Sequence, residues 1–211
     1  MQEIHTENIF FPKNKNELRQ WYEENVLSQK EVWIPILCKT TSDSMNEENE
    51  ESTQEIRSSK CSIPYIDAVE VALCFGWIDS VRRRHEEFCF QRFSPRRKGS
   101  LWTELNKERC RRLIKLGLMT PHGEKVLPDL DKNSFHVEEW ILQALQKDKV
   151  VWKNFISFPE LYQRVKLYNI QFEEKKGRHE SSLLRLKKLV DATRIGKMFG
   201  EWNDGGRLID Y

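Results

Sequence analysis

The chain has 211 residues, 38% hydrophobic, 32% charged and 11% aromatic, enough for one domain or a domain with a small appendage. Its aromatic load, with seven Trp and eleven Phe, excludes wholesale disorder, and nine Gly with seven Pro exclude a collagen-like chain. No apolar run reaches the roughly 18 residues of a membrane span, and a net charge of +2, from 35 basic and 33 acidic residues, selects no partner by itself.

The start, Met1 to Glu7, is polar and reads as no secretory signal. Asn16 to Val26 reads as a helix with Leu18, Trp21 and Tyr22 on one side. Val32 to Cys38 reads as a strand, and Pro35, lacking a backbone donor, places it at a sheet edge or a bulge. Ser42 to Glu55 then carries Asp43, Glu47, Glu48, Glu50, Glu51 and Glu55 with no basic residue. Such a stretch reads as a disordered acidic insertion, or in a second reading as an acidic docking segment.

Tyr65, Ala68, Val69, Ala72 and Phe75 recur at helical spacing, and Gly76 permits a sharp turn after them. Ile78–Arg84 and Phe88–Phe93 predict two strands joined at His85-Glu86, the imperfect alternation of the second calling for one bulge or a short second strand. A helix is expected from Trp102 to Leu116, ended by Gly117, and another opens at Thr120-Pro121. Helices follow over Phe135–Lys149, Pro159–Glu174 and Ser181–Lys197, the last buried through Leu183, Leu186, Leu189 and Val190. The C-terminal loop is expected to dock Trp202 and Tyr211.

The expected fold class is α+β: a small antiparallel sheet of about three strands packed with helices, then a helical C-terminal region. Residues 1–130 form the motif-bearing domain, with 40–60 a disordered acidic insertion, and 131–211 a helical region packed on it.

Chemistry concentrates between Ala72 and Asn106. From Arg82 to Lys98, the basic residues Arg82, Arg83, Arg84, Arg92, Arg96, Arg97 and Lys98 stand against Glu86 and Glu87 alone. Guanidinium forks suit carboxylates and phosphates, so an anion pocket is one reading. The other is a solvated hairpin whose arginines pair with acidic helices. Trp102, Asn106, Cys110 and Leu113 share one arc of their expected helix, with Arg109 at its edge. Asn106 and Arg109 then reach toward the sheet or a bound ligand, or Asn106 makes a structural hydrogen bond to backbone.

The expected ligand-binding set is Trp77, Asp79, Arg92, Arg96, Trp102 and Asn106, gathered on one concave surface between the hairpin and the Trp102 helix. Strand alternation turns Arg92 away from the core if Phe93 enters it. Cys74 is a candidate reactive thiol without a sequence-local base, and an ordinary buried thiol is its other reading. No catalytic constellation, cofactor motif or metal-ligand spacing is present in the sequence. The odd set Cys38, Cys61, Cys74, Cys89 and Cys110, without a Cys-x-x-Cys pair, predicts reduced thiols in a cytoplasm.

Tyr65, Asp67-Ala68-Val69-Glu70 and Ala72-Leu73-Cys74-Phe75-Gly76-Trp77-Ile78-Asp79 resemble the signature of the bacterial YdeI/OmpD-associated (OmdA-like) family, the bacteriocin-protection group. Gln91 to Arg97, Trp102, Asn106-Lys107 and Gly117-Leu118-Met119-Thr120 follow in the same order, so the likeness covers about Tyr65 to Gly123. Pro64 stands where that family places a Ser or Thr cap, leaving Ser62 for the role. Ser80 and His122 replace its usual Gly and Ala, and 42–55 looks like an insertion.

The resemblance implies a cytoplasmic or peripheral stress or bacteriocin-protection protein with no established reaction or cofactor. Three function classes follow. The first is a protein that binds a partner protein or a small anionic ligand. The second is an enzyme with an arginine-lined pocket using Cys74 or Asp79. The third, less expected, is a nucleic-acid module using the basic hairpin with Phe88, Phe90 and Phe93.

Overall fold

A computed structural model describes residues 6–36, 63–85 and 88–211. The insertion expected at 40–60 and the Ser62 cap lie outside the described residues. The first helices are α1 (Lys15–Asn25), α2 (Tyr65–Cys74), α3 (Glu104–Lys115) and α4 (Pro121–Glu124). Then come α5 (Glu139–Gln146), α6 (Lys149–Ser157), α7 (Glu160–Lys175) and α8 (His179–Arg194). The strands β1 (Val32–Ile36), β2 (Trp77–His85) and β3 (Phe88–Pro95) form one antiparallel sheet in the order β1-β3-β2. The fold class is α+β, with a helical C-terminal region.

The chain divides into two compact units, Met1–Ser100 with Gly117–Leu127, and Leu101–Leu116 with Pro128–Tyr211. The chain passes between the units three times, the last time between Leu127 and Pro128. Helix α3 groups with the C-terminal helices rather than with the sheet, because its buried face is charged and finds its partners there.

In the first unit, the Asn14 side chain accepts from the backbone N–H groups of Asn16 and Glu17 and opens α1, which buries Leu18 and Tyr22. β1 is an edge strand, where Pro35 costs no ladder hydrogen bond. Tyr22 stacks on Phe75 at 5.3 Å and meets Trp77 edge-on at 5.2 Å. The end of α2 and the start of β2 therefore pack on α1 through three aromatic rings. Gly76 turns the chain between them at φ +76°, which is strained for any side chain. The expected bulge is present but lies in β2, between Asp79 and Arg82, rather than in β3.

Thr120 caps α4 and Pro121 follows it, as the Thr-Pro step predicts. The Thr120 N–H and hydroxyl both donate to the Cys74 carbonyl, at 3.1 and 2.6 Å, fastening α4 to the end of α2.

In the second unit, Thr103 caps α3 by accepting from the Asn106 N–H. The helix expected from Trp102 thus starts two residues later, and Trp102 lies outside it. The helix expected over Phe135–Lys149 is shorter, α5 spanning Glu139–Gln146, and α6, not expected from the sequence, follows it. The Asp148 carboxylate accepts from the N–H groups of Val150 and Val151 and starts the second. Ile141, Leu145, Phe155, Tyr162, Ile170 and Leu189 form the core of this unit, while Leu183 is exposed, contrary to expectation. Trp202 meets Tyr162 edge-on at 5.7 Å, so the C-terminal loop docks as expected.

Candidate functional site

Cross-strand register decides which hairpin residues share a face, because directly paired residues project to the same side. Asp79 pairs with Phe93, which is fully buried, so Asp79 projects to the helix side of the sheet. There it accepts a 2.7 Å hydrogen bond from the hydroxyl of Tyr65 on α2. Arg92 pairs with Trp33 on the opposite face and leaves the core as alternation predicts. Its Nε donates to Glu31 at 2.7 Å. Burial pushes the Glu31 carboxyl up, but hydrogen bonds from Arg92 and Trp33 and the Arg92 charge outweigh it and hold the group below the ordinary carboxylate range.

The structure therefore does not bring Asp79 and Arg92 together. Trp77 is a core residue, 1% exposed, walled by Tyr22 and Trp21, and presents no surface to a ligand. Arg96 is buried, and one of its guanidinium nitrogens donates to Ser100 Oγ at 3.3 Å. The remaining two of the six expected residues, Trp102 and Asn106, belong to the second unit. The local rule for Arg92 holds. The expected gathering fails because it ignored the pairing partner of Asp79.

What the hairpin does present is cation. Arg82 and Arg84 pair with Gln91 and Cys89 and project to the helix side, while Arg83 pairs with Phe90 and projects to the other. Arg82 lies 5.3 Å over the Tyr65 ring, a cation–π contact, and its Nε makes a long 3.4 Å contact to Gln91 Oε1. Among the described residues no carboxylate forms an ion pair with Arg82, Arg83, Arg84, Arg97 or Lys98. Arg92 is paired, but with Glu31 just before β1 rather than with an acidic helix.

Cys74 is 2% exposed, and burial pushes its thiol above the ordinary range despite nearby Arg19 and Lys15. That opposes the thiolate a nucleophile needs. The expectation that all thiols are reduced is corrected at Cys89, which is disulfide-bonded, whereas Cys74 and Cys110 belong to no disulfide. Neither count nor spacing encodes such a pairing.

In the second unit, Asn106 serves structure. Its Oδ1 accepts from Arg109 at 2.6 Å, and the Arg109 fork grips Asp204 through two 2.7 Å hydrogen bonds. Beside this pair, Glu108 accepts from Arg164 at 3.0 Å and from the Tyr211 hydroxyl at 2.8 Å, with Arg111 on the same carboxylate. Glu104 is held by Lys107 at 2.9 Å and Arg164 at 3.5 Å. Paired networks of this kind perturb titration without implying catalysis. A cavity of about 100 Å³ lined by Thr103, Glu104, Tyr168, Asn169 and Glu201 adjoins them. It is room for a few waters rather than for a metabolite.

Burial, then the hydrogen bond and charge of Glu108, push Tyr211 up to about 12. Burial pushes Glu108 up, but the Tyr211 hydroxyl and the charges of Arg111, Lys132 and Arg164 outweigh it and hold it low. A tyrosine raised in the folded state stabilises fully below its unfolded value of about 10 and loses that contribution as pH rises towards its folded value. Tyr211→Phe is expected to cost about 1 kcal/mol at neutral pH. The difference from wild type in urea midpoint should close between pH of about 10 and about 12. A difference constant through that window would refute the assignment.

The fold and this surface define an α+β protein with an uncompensated arginine hairpin and no evident catalytic group among the described residues. A family model described as a domain of unknown function (DUF8412) matches residues 50–126, the stretch that runs through α2, the hairpin, α3 and α4. No protein of curated function matches the chain, and no solved structure does.

Proposed function

We propose that the chain is a binding protein that engages an anionic partner protein through the β2 arginines. The observation that carries this reading is the set Arg82, Arg83 and Arg84, without carboxylate partners among the described residues, on a strand only nine residues long. Three adjacent cations raise the local potential although the whole chain is near neutral, and they recruit a carboxylate-rich surface by long-range attraction.

A role in stress tolerance or bacteriocin protection, as in the YdeI/OmpD-associated proteins that the motifs resemble, belongs to this proposal as its biological setting. So does a cytoplasmic location. No helix among the described residues is long and apolar enough to cross a membrane.

The enzyme reading has less support, because Cys74 is buried and Asp79 is engaged by Tyr65. The nucleic-acid reading loses two of its stacking rings, since Phe90 and Phe93 are 2% and 0% exposed and stacking requires an open face.

Binding of a fluorescent poly-glutamate peptide, followed by anisotropy at low and high salt, tests the proposal. The triple variant Arg82→Gln/Arg83→Gln/Arg84→Gln is expected to bind at least about tenfold more weakly and to lose most of the salt dependence. Equal binding by the variant refutes the proposal. So does tighter arginine-dependent binding of a DNA or RNA oligomer, which would restore the nucleic-acid reading.

A further inference from the structure

The geometry points to strand addition: an extended, acidic peptide segment of the partner pairs with the outer edge of β2. The inference rests on the proposed anionic partner and specifies the conformation in which it binds.

β2 is an edge strand because the sheet order is β1-β3-β2. The opposite edge is already engaged, since Ile9 bridges Trp33 in parallel and the Phe10 N–H donates to the Trp33 carbonyl at 3.0 Å. Among the described residues no second strand pairs with β2. Outward-directed N–H and C=O groups of such an edge are a ready template for another strand.

The edge is long enough for specific pairing, as nine residues span about 30 Å. Its side chains also select the occupant. Ser80, Arg82 and Arg84 are exposed, and Arg83 is half-buried on the opposite face. A guest strand in register therefore meets guanidinium groups on both of its sides. Like charges directly opposite one another oppose pairing with a second copy of β2, whereas a guest carrying Glu or Asp at alternate positions pairs with them. The bulge between Asp79 and Arg82 divides the edge into two short stretches. Of these, Arg82 to Arg84 holds the three β2 cations that have no carboxylate partner among the described residues. Main-chain hydrogen bonds supply affinity in such complexes and alternate side chains supply selection.

The test uses the full chain and two synthetic peptides of alternating Glu and Val. One is unmodified, and the other carries N-methyl groups on every amide, which removes the donors along both edges and keeps all charge. The expected result is at least about tenfold tighter binding of the unmodified peptide. It should come with slowed hydrogen exchange at the outward-facing β2 amides between Ser80 and Arg84. Equal affinity for the two peptides overturns strand addition and leaves the anionic-partner proposal standing. Failure of both to bind overturns both. Exchange protection of these amides in the free chain, rising with its own concentration, would identify a second copy as the occupant and overturn the acidic guest.

Discussion

Gly123→Ala is expected to destabilise the first unit by about 3 kcal/mol or to abolish its folding. A Cβ at this position would lie 2.3 Å from the Cys74 carbonyl oxygen and 2.8 Å from its carbon. That carbonyl cannot retreat, because the Thr120 N–H and hydroxyl both hold it. The turn that α4 packs against is equally tight, since a Cβ on Gly76 would meet Val126 Cγ2 at 2.8 Å and the His122 carbonyl oxygen at 3.0 Å. Gly99 supplies the control. Its φ of +75° matches the +76° of Gly76, but nothing lies within 4 Å of its Cβ position. Gly99→Ala should therefore cost only the left-handed backbone, about 1–2 kcal/mol. Urea unfolding followed by far-UV circular dichroism should rank Gly123→Ala and Gly76→Ala well below Gly99→Ala. Equal midpoints for Gly123→Ala and Gly99→Ala would show that the close approach carries no weight.

That contact also marks how far the sequence can be read. The rules that succeed here are local ones, each needing only a few neighbouring residues. Pro35 places its strand at an edge, Gly76 takes positive φ, Thr120-Pro121 opens a helix, and alternation turns Arg92 out once Phe93 is in. The misses are mostly of two kinds. Trp102 and the 135–149 segment fail at helix ends, where the Thr103 and Asp148 side chains set the start. The Asp148 cap, followed by Val151 and Phe155 at helical spacing, was a usable signal for α6.

The other misses depend on pairing between distant residues. Asp79 falls on the face opposite Arg92 because of a register interrupted by a bulge, and no single-strand pattern contains that register. Asp204, which satisfies Arg109, is 95 residues away in sequence. Arg109 itself was legible as a polar group at the edge of an apolar stripe, which signals that a partner exists but not which one. The candidate surface had a similar fate. Its cationic character was plain in the sequence. Only the sheet order shows that three of those cations line an edge that no other strand pairs among the described residues.

Asp204→Asn is expected to cost about 3–5 kcal/mol, the usual effect of stranding one charge of a buried pair. The side chains of Arg109 and Asp204 are 7% and 0% exposed, so water cannot replace the lost carboxylate. Asparagine is the informative replacement because Asp204 sits at φ +52°, a conformation Asn tolerates well. The substitution therefore changes charge without adding backbone strain. Arg109→Met removes the other charge and leaves Asp204 with its carboxylate buried, and a cost of similar size is expected. The double variant strands neither charge. Its destabilisation should fall short of the sum of the singles by at least about 2 kcal/mol. Asn106→Ala, which removes one acceptor from the same guanidinium, should cost less than either single, about 1–2 kcal/mol. Urea unfolding of the four proteins measures the cycle directly, with coincidence of the Trp fluorescence and far-UV transitions as the check that unfolding is two-state. Strictly additive singles would mean that Arg109 and Asp204 do not depend on one another, and the buried pair would then have no part in holding α3 against the C-terminal turn.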